Sequence, residues 1–333
     1  MKADRSRLAL ILICAGVLVA SVIIGICAGT VWVSPIELLQ DFFTDGMTQN
    51  ERIIIYIRLP RVIAAVLAGA ALSVSGAIIQ AVLANPLAAP NIIGVNAGAG
   101  LFTVLCSAFL PTAVGLRPAA AFIGALAAVL LVYGIAAKTG ASRMTIVLAG
   151  VGVSSLLNAV IDTLTTLFPD VLSGFSAFKT GGFSGATLNS LFPAWIFILV
   201  GIAAALLLGH DLDVLSLGDN TARSLGMNAG VFRFVFLAIA ALLAGAAVSF
   251  SGLVGFVGLV VPHISRKISG SHENRRILPV CVLLGGAFLC LCDTLARTLF
   301  SPYEIPAGIV VSYIGVPFFI WLLIRKKGGR HGA

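Results

Sequence analysis

Apolar residues in this chain do not alternate with polar ones but run in continuous Leu/Val/Ile/Ala/Gly blocks of roughly 20 residues, the length a helix needs to cross bilayer hydrocarbon. The blocks fall at 8–30, 62–83, 92–110, 118–137, 145–168, 189–209, 230–250, 253–266, 277–297 and 307–324, between charged or Pro/Gly-rich breaks. A backbone inside hydrocarbon must satisfy its own polar groups, and without alternation a barrel is excluded. The pattern predicts an all-α polytopic membrane protein of about ten transmembrane helices. It forms one domain over residues 1–333, with a longer polar loop at 210–230. The first block follows Lys2, Arg5 and Arg7 in the manner of a signal peptide. It is too long for an h-region and no A-x-A site follows, so it reads as an uncleaved first helix.

Composition agrees: 59% of the 333 residues are hydrophobic and only 10% are charged, which leaves no room for a sizeable soluble domain. Charge then orients the helices. With the N-terminus inside, Lys2, Arg5, Arg7, Lys138, Arg143, Arg223, Arg233, Arg266, Lys267, Arg275, Arg276, Arg325, Lys326, Lys327 and Arg330 are cytoplasmic. Arg52, Arg58, Arg61, Arg117, Lys179 and Arg297 lie outside, so both termini are expected in the cytoplasm. The bias also counts the short eighth block, interrupted by Pro262, as a crossing, because otherwise the basic tail faces outward. Inside-facing loops near anionic lipid account for the net charge of +8, and no nucleic-acid partner is needed.

Chemistry of the enzymatic kind is absent from the pattern. Cys14, Cys27, Cys106, Cys281, Cys290 and Cys292 all fall within blocks without C-x-x-C or Cys/His spacing, and read as small packing residues. His210, His263, His272 and His331 form no pair suited to a metal or a triad. No P-loop exists, since Lys138-Thr139 and Lys179-Thr180 lack the preceding glycine. We expect no catalytic residue, no metal site and no cofactor bound by this chain, and any ATP-driven work must come from another subunit.

Three segments carry more specific signals. Arg58-Leu59-Pro60-Arg61 opens the second block and leads into a Gly69–Gly100 stretch. There Gly69, Ser73, Ala77 and Ser75-Gly76 offer small surfaces for close helix approach, and the uncharged Asn85-Pro86 connection suits membrane depth. In Asp211–Gly230, Asp219 is placed to cap a short helix that Gly226 ends, lying flat on the membrane face; an ordinary connecting loop is the alternative. Gly252, Gly255 and Gly258 recur every third residue, and in apolar surroundings they read as close backbone packing rather than a nucleotide loop.

Four blocks stand in collinear order: RLPR…GA.LS.SG..IQ…NPLA.P..IG…GAG, LGDNTARSLG, GFVGLVVPHI.R and D..AR…E.P.GI…IG.P.F.WLL. From about Arg58 to the C-terminus they resemble the permease subunits of binding-protein-dependent ABC importers for iron siderophores, haem and cobalamin. The resemblance implies the ten-helix architecture of a type II ABC importer permease. It also implies a second permease copy or a related permease, two cytoplasmic ATPase subunits and an extracytoplasmic substrate-binding protein. It further implies that Asp219, Asn220, Thr221, Ala222, Arg223, Ser224, Leu225 and Gly226 form the coupling helix that meets an ATPase. Arg58, Arg61 and Arg297 would receive carboxylates of the binding protein, and the inner gate would lie at about Ala141–Thr145, with Arg143 and Met144 nearest it.

Physical reasoning bears on these assignments. Arg58 and Arg61, three residues apart across a proline, are expected to project from one outer rim and fork onto carboxylates. Arg297 has a rival role, because Asp293 lies four residues earlier and an unpaired carboxylate in the membrane costs about 2.5–3.5 kcal/mol. In the fifth block, Ser155, Asn158, Asp162 and Thr165 share one helical face, readable as pathway lining or as a polar seam between helices. The expected function is a ferric-siderophore importer permease in the cytoplasmic membrane. Cobalamin or haem are the alternatives within the family, and an ion-coupled secondary transporter using Asp162 and Asp293 is the alternative from another class.

Overall fold

A computed structural model describes residues 2–29, 49–140 and 142–328. Ala141 and Arg330, both used in the sequence reading, lie outside the described residues. Every apolar block holds a helix. In chain order these are α1 (Lys2–Cys27), α2 (Leu59–Val82), α3 (Val95–Phe109), α4 (Arg117–Lys138) and α5 (Arg143–Leu167), followed by a helix the pattern does not announce, α6 (Val171–Thr180). Then come α7 (Ala194–Leu207), α8 (Gly209–Ser216), α9 (Asp219–Ser224), α10 (Ala229–Ser251), α11 (Val257–Ser269), α12 (Asn274–Thr298) and α13 (Ala307–Gly328).

Side-chain size decides which helix sits at the centre. The span ending in α2 has 83% of its most apolar stretch buried, against 22% for α1 and for α5. Apolar character is equal in lipid and in protein, so hydrophobicity cannot choose between them; small residues and interhelical hydrogen bonds can. On α2, a Cβ placed on Gly69 would sit 2.1 Å from the carbonyl oxygen of Gly285 on α12, and one on Gly76 would sit 1.9 Å from that of Gly258 on α11. Ser73 Oγ donates to Cys281 O at 2.7 Å and Ser75 Oγ to Ala240 O at 2.7 Å, stitching α2 to α12 and α10. The small-residue reading of α2 therefore holds. Of the three glycines at 252, 255 and 258, Gly252 and Gly258 abut backbone, whereas Gly255 has open space around it.

Helix length and composition alone do not mark every one of the ten blocks as a crossing. Among the described residues six helices are long and apolar enough to span, or seven if α7 and α8, bent by 61°, count as one. The eighth block, expected to cross, yields only the 13 residues of α11. At 1.5 Å per residue that is about 20 Å, short of the roughly 30 Å of hydrocarbon. The turn at Gly252 that precedes α11 is buried and tied to other elements instead. Leu253 N donates to Phe178 O at 2.9 Å, Gly182 N to Ser251 O at 2.8 Å, and Gly308 N to Gly181 O at 3.1 Å. Non-helical backbone is tolerated at such a junction because protein, not lipid, supplies its partners.

The 210–230 loop is largely helical. α9 ends in a Schellman motif, with Met227 N donating to Ala222 O (2.9 Å), Gly226 N to Arg223 O (2.9 Å), and Gly226 at φ +82°. Its start differs from expectation: Gly218 occupies the cap position, and Asp219 makes no capping bond. The carboxylate is drawn away to Arg233 of α10, at 2.5 Å.

Candidate functional site

Three regions draw the chemistry-bearing residues together. The first is the end of the bundle where α1 stops and α2 begins. A helix leaves its last carbonyls without intrahelical donors, and here two arginines supply them. Arg58 Nη1 donates to Ile26 O and Cys27 O, each at 2.9 Å, and Arg297 Nη2 donates to Gly25 O. Arg61 grips Asp293 with both sides of its fork, Nε to Oδ2 at 2.9 Å and Nη2 to Oδ1 at 3.0 Å, and reaches Glu304 with Nη1 at 2.6 Å.

This geometry corrects the expected exposed rim. Arg58, Arg61 and Arg297 are only 4%, 5% and 3% exposed, and each is spent inside the fold. Helix-end carbonyls and a buried carboxylate take the place of water around these guanidinium groups and offset the cost of burying them. The rival reading of Arg297 is also modified. Its Nε stands 3.6 Å from Asp293, while Arg61 is the acid's main partner. Exposed residues at this end include Arg52, Tyr56, Tyr303 and Glu304. Glu304 and Arg61 also wall a cavity of about 290 Å³ that includes Thr180, Ser184, Ser249 and Ser251. Glu304 carries no role in the sequence reading, although Asp293 and Glu304 are the only acids after Glu273.

The second region is the outer face of α5. Ser142 caps this helix, its Oγ accepting from Thr145 N at 3.1 Å. Ser155, Asn158 and Asp162 are exposed and Thr165 is half-buried, so the structure brings the four onto one open face. Among the described residues no cation lies within ion-pair distance of Asp162. The face is wider than the stripe, since Leu156 (64%) and Val160 (38%) are exposed beside it.

The third region is the opposite end from the arginine cluster. Arg143 Nη2 donates to Leu215 O at 3.1 Å, fastening the start of α5 to α8, while the neighbouring Met144 is 67% exposed. α9 projects here. Ala222 is buried beneath it, whereas Asn220, Thr221, Arg223, Ser224, Leu225 and Gly226 are exposed. Hydrogen bonding from Arg233 holds the Asp219 carboxyl below the usual aspartate range. The structure thus groups Arg143, Asp219, Arg223 and Arg233 at one end and Arg58, Arg61 and Arg297 at the other, the partition that charge sorting requires. Among the described residues no group of three or more His, Cys, Asp or Glu is placed to hold a metal ion.

Known proteins resemble this chain over most of its length. The chain is 37% identical over 328 residues to the Fe(3+)-citrate import system permease protein YfmD of Bacillus subtilis (strain 168), covering 98% of this chain and 96% of that protein. It is 38% identical over 282 residues to the hemin transport system permease protein HmuU of Yersinia pestis, covering 83% and 84%. Its fold matches a solved chain described as an inward-facing metal-chelate type ABC transporter, with a TM-score of 0.85 and 26% identity over 95% of this chain and 99% of that one. The profile of the FecCD transport family matches residues 17–325, and this chain belongs to that family.

Proposed function

We propose that this chain is the permease subunit of an ATP-driven importer that carries a ferric siderophore or a similar iron chelate inward across the cytoplasmic membrane. The observation that carries the reading is the open face of α5. An unpaired carboxylate turned to lipid is costly, up to about 2.5–3.5 kcal/mol at the centre of a span, so Asp162, five residues from the end of α5, is better placed against water or a partner. A second permease facing α5 across a wet pathway meets that requirement, and Ser155, Asn158 and Thr165 then line the same path. The exposed surface of α9 is suited to receive motion from an ATPase subunit, two of which would serve a permease pair, with Arg143 and Met144 flanking the inner gate. That end is cytoplasmic on charge sorting, with both termini beside it. An extracytoplasmic binding protein would meet the opposite end, where Arg58, Arg61 and Arg297 hold α1, α2 and α12 in register rather than reach outward.

Haem or cobalamin as cargo is the second reading, favoured for haem by the likeness to a hemin permease. Ion coupling through Asp293 is disfavoured, because Arg61 and Arg297 occupy that carboxylate. The test is uptake into proteoliposomes holding this chain, its ATPase and its binding protein. Iron delivered as a ferric siderophore should accumulate only with ATP. Accumulation of haem or cobalamin and not of any ferric siderophore would overturn the cargo assignment, and accumulation driven by an ion gradient without ATP would overturn the transporter class.

A further inference from the structure

A cavity of about 590 Å³ opens at the end that carries α9, walled by Gln80 and Asn85 at the end of α2, by His263, Arg266 and Lys267 on α11, and by His272 in the following turn. Among its described lining residues there is no Asp or Glu. Arg266 is held in place by a neutral group: its Nη1 donates to Gln80 Oε1, and Gln80 Nε2 donates in turn to Gly258 O at 3.1 Å. Lys267 Nζ lies 5.6 Å from the ring centre of Trp321. Two acids nearby are already occupied. Asp213 accepts from the backbone N–H groups of Asn274 (2.5 Å) and Arg275 (3.4 Å), and Glu273 pairs with Arg276 at 2.6 Å. The result is a concave, amide-walled site with two cations and no counter-charge of its own.

A half-buried guanidinium without a carboxylate is costly to maintain, and an anion that enters the cavity relieves that cost. The site's chemistry selects the anion. A planar fork beside a lysine point charge matches phosphate oxygens, and the volume falls in the range of sites for organic molecules rather than a bare ion. Its level in the bundle fits as well. Trp321 is 45% exposed next to Lys267, the aromatic-plus-basic pairing found at the boundary between hydrocarbon and water. We propose that this cavity binds a phosphate-bearing anion at the membrane boundary, with Arg266 and Lys267 supplying the charge and Gln80 holding Arg266 in position. The phosphate has two candidate sources, an anionic phospholipid headgroup and a soluble phosphate or polyphosphate.

The experiment is native mass spectrometry of the full-length chain in detergent, titrated with cardiolipin, phosphatidylglycerol or phosphatidylcholine, alongside isothermal titration with inorganic phosphate and pyrophosphate. At least one anionic probe should bind at least tenfold more tightly than phosphatidylcholine, and Arg266→Gln with Lys267→Gln should remove that preference. Retention of the anionic lipids alone assigns the site to the headgroup, and binding of phosphate or pyrophosphate alone assigns it to the soluble source. Because Arg266 is tied to Gln80, the pair Lys267→Gln and His272→Gln, both at exposed positions, serves as a variant that leaves the packing intact and should still weaken binding severalfold. Equal binding of anionic and zwitterionic probes by the wild-type chain, or an anionic preference undiminished in both variants, overturns the proposal.

Discussion

Replacing Arg61 with methionine separates a structural arginine from a docking one. The substitution keeps the bulk of the stem but removes two hydrogen-bonded arms on Asp293 and the 2.6 Å contact with Glu304. Asp293, 1% exposed, is then left with Arg297 Nε at 3.6 Å as its nearest cation. Taking one partner from a buried pair costs about 3–5 kcal/mol, since the other charge stays desolvated. With an unfolding entropy near 2.1 cal/mol/K per residue, that loss lowers the apparent midpoint by on the order of 5 °C. Glu304→Gln, at a side chain 40% exposed, should cost only about 0–1 kcal/mol. Arg61→Met combined with Asp293→Leu should recover most of the loss, because no orphaned charge remains between them. The chain carries a reporter for the assay. Cys290 and Cys292 are buried beside Asp293, so a fluorogenic thiol dye follows their exposure during a thermal ramp in detergent. The reasoning is refuted if Arg61→Met is as mild as Glu304→Gln while binding-protein docking alone collapses.

Gly76→Val should abolish recovery of monodisperse protein, because the new Cβ meets backbone atoms of Gly258 at 1.9 and 2.4 Å; Gly16→Val, with nothing within 4 Å, should be recovered at the wild-type level in size-exclusion chromatography. Asp219→Asn should cost more than the about 0–1 kcal/mol of an exposed pair at neutral pH, since the carboxylate is partly exposed but the Arg233 side chain it leaves behind is only 3% exposed. The folded pKa of Asp219 is depressed, so the pair's contribution is complete above the ordinary aspartate value of about 3.9 and is lost as pH falls through the folded value. Thermal scans at descending pH should therefore bring wild type and Asp219→Asn together only in strong acid.

The helical blocks were legible because each signal was local: a run of apolar residues long enough for hydrocarbon, ended by charge, proline or glycine. α2 was legible in finer detail, since Gly69, Ser73 and Gly76 announce close neighbours wherever those neighbours come from. What the sequence could not reveal were partners far along the chain. Arg58 looks like a rim residue until α1 ends beside it with open carbonyls, and Arg61 until Asp293 arrives from 232 residues away. Asp219 was misplaced for the same reason, as a local cap is outbid by Arg233 on the next helix. α6 escaped notice because its ten residues are too few and too polar to register as a span. The stripe on α5 needed only helical periodicity and was read correctly as one face, although the exposed Leu156 and Val160 show that the face extends further.

Labelling of the α5 face tests the central claim most directly. Single cysteines at Ser155, Asn158, Asp162 and Thr165, in a background without the six native thiols, are exposed to a membrane-impermeant maleimide through the ATP cycle of the reconstituted complex. Controls are Leu12→Cys and Val19→Cys on α1, which are 63% and 58% exposed on the bundle's apolar exterior, and Ile161→Cys, which is buried. A wet pathway predicts that the four α5 positions react in at least one state of the cycle while all three controls stay silent. Four α5 positions as unreactive as the α1 controls in every state would contradict a permeation role for this face.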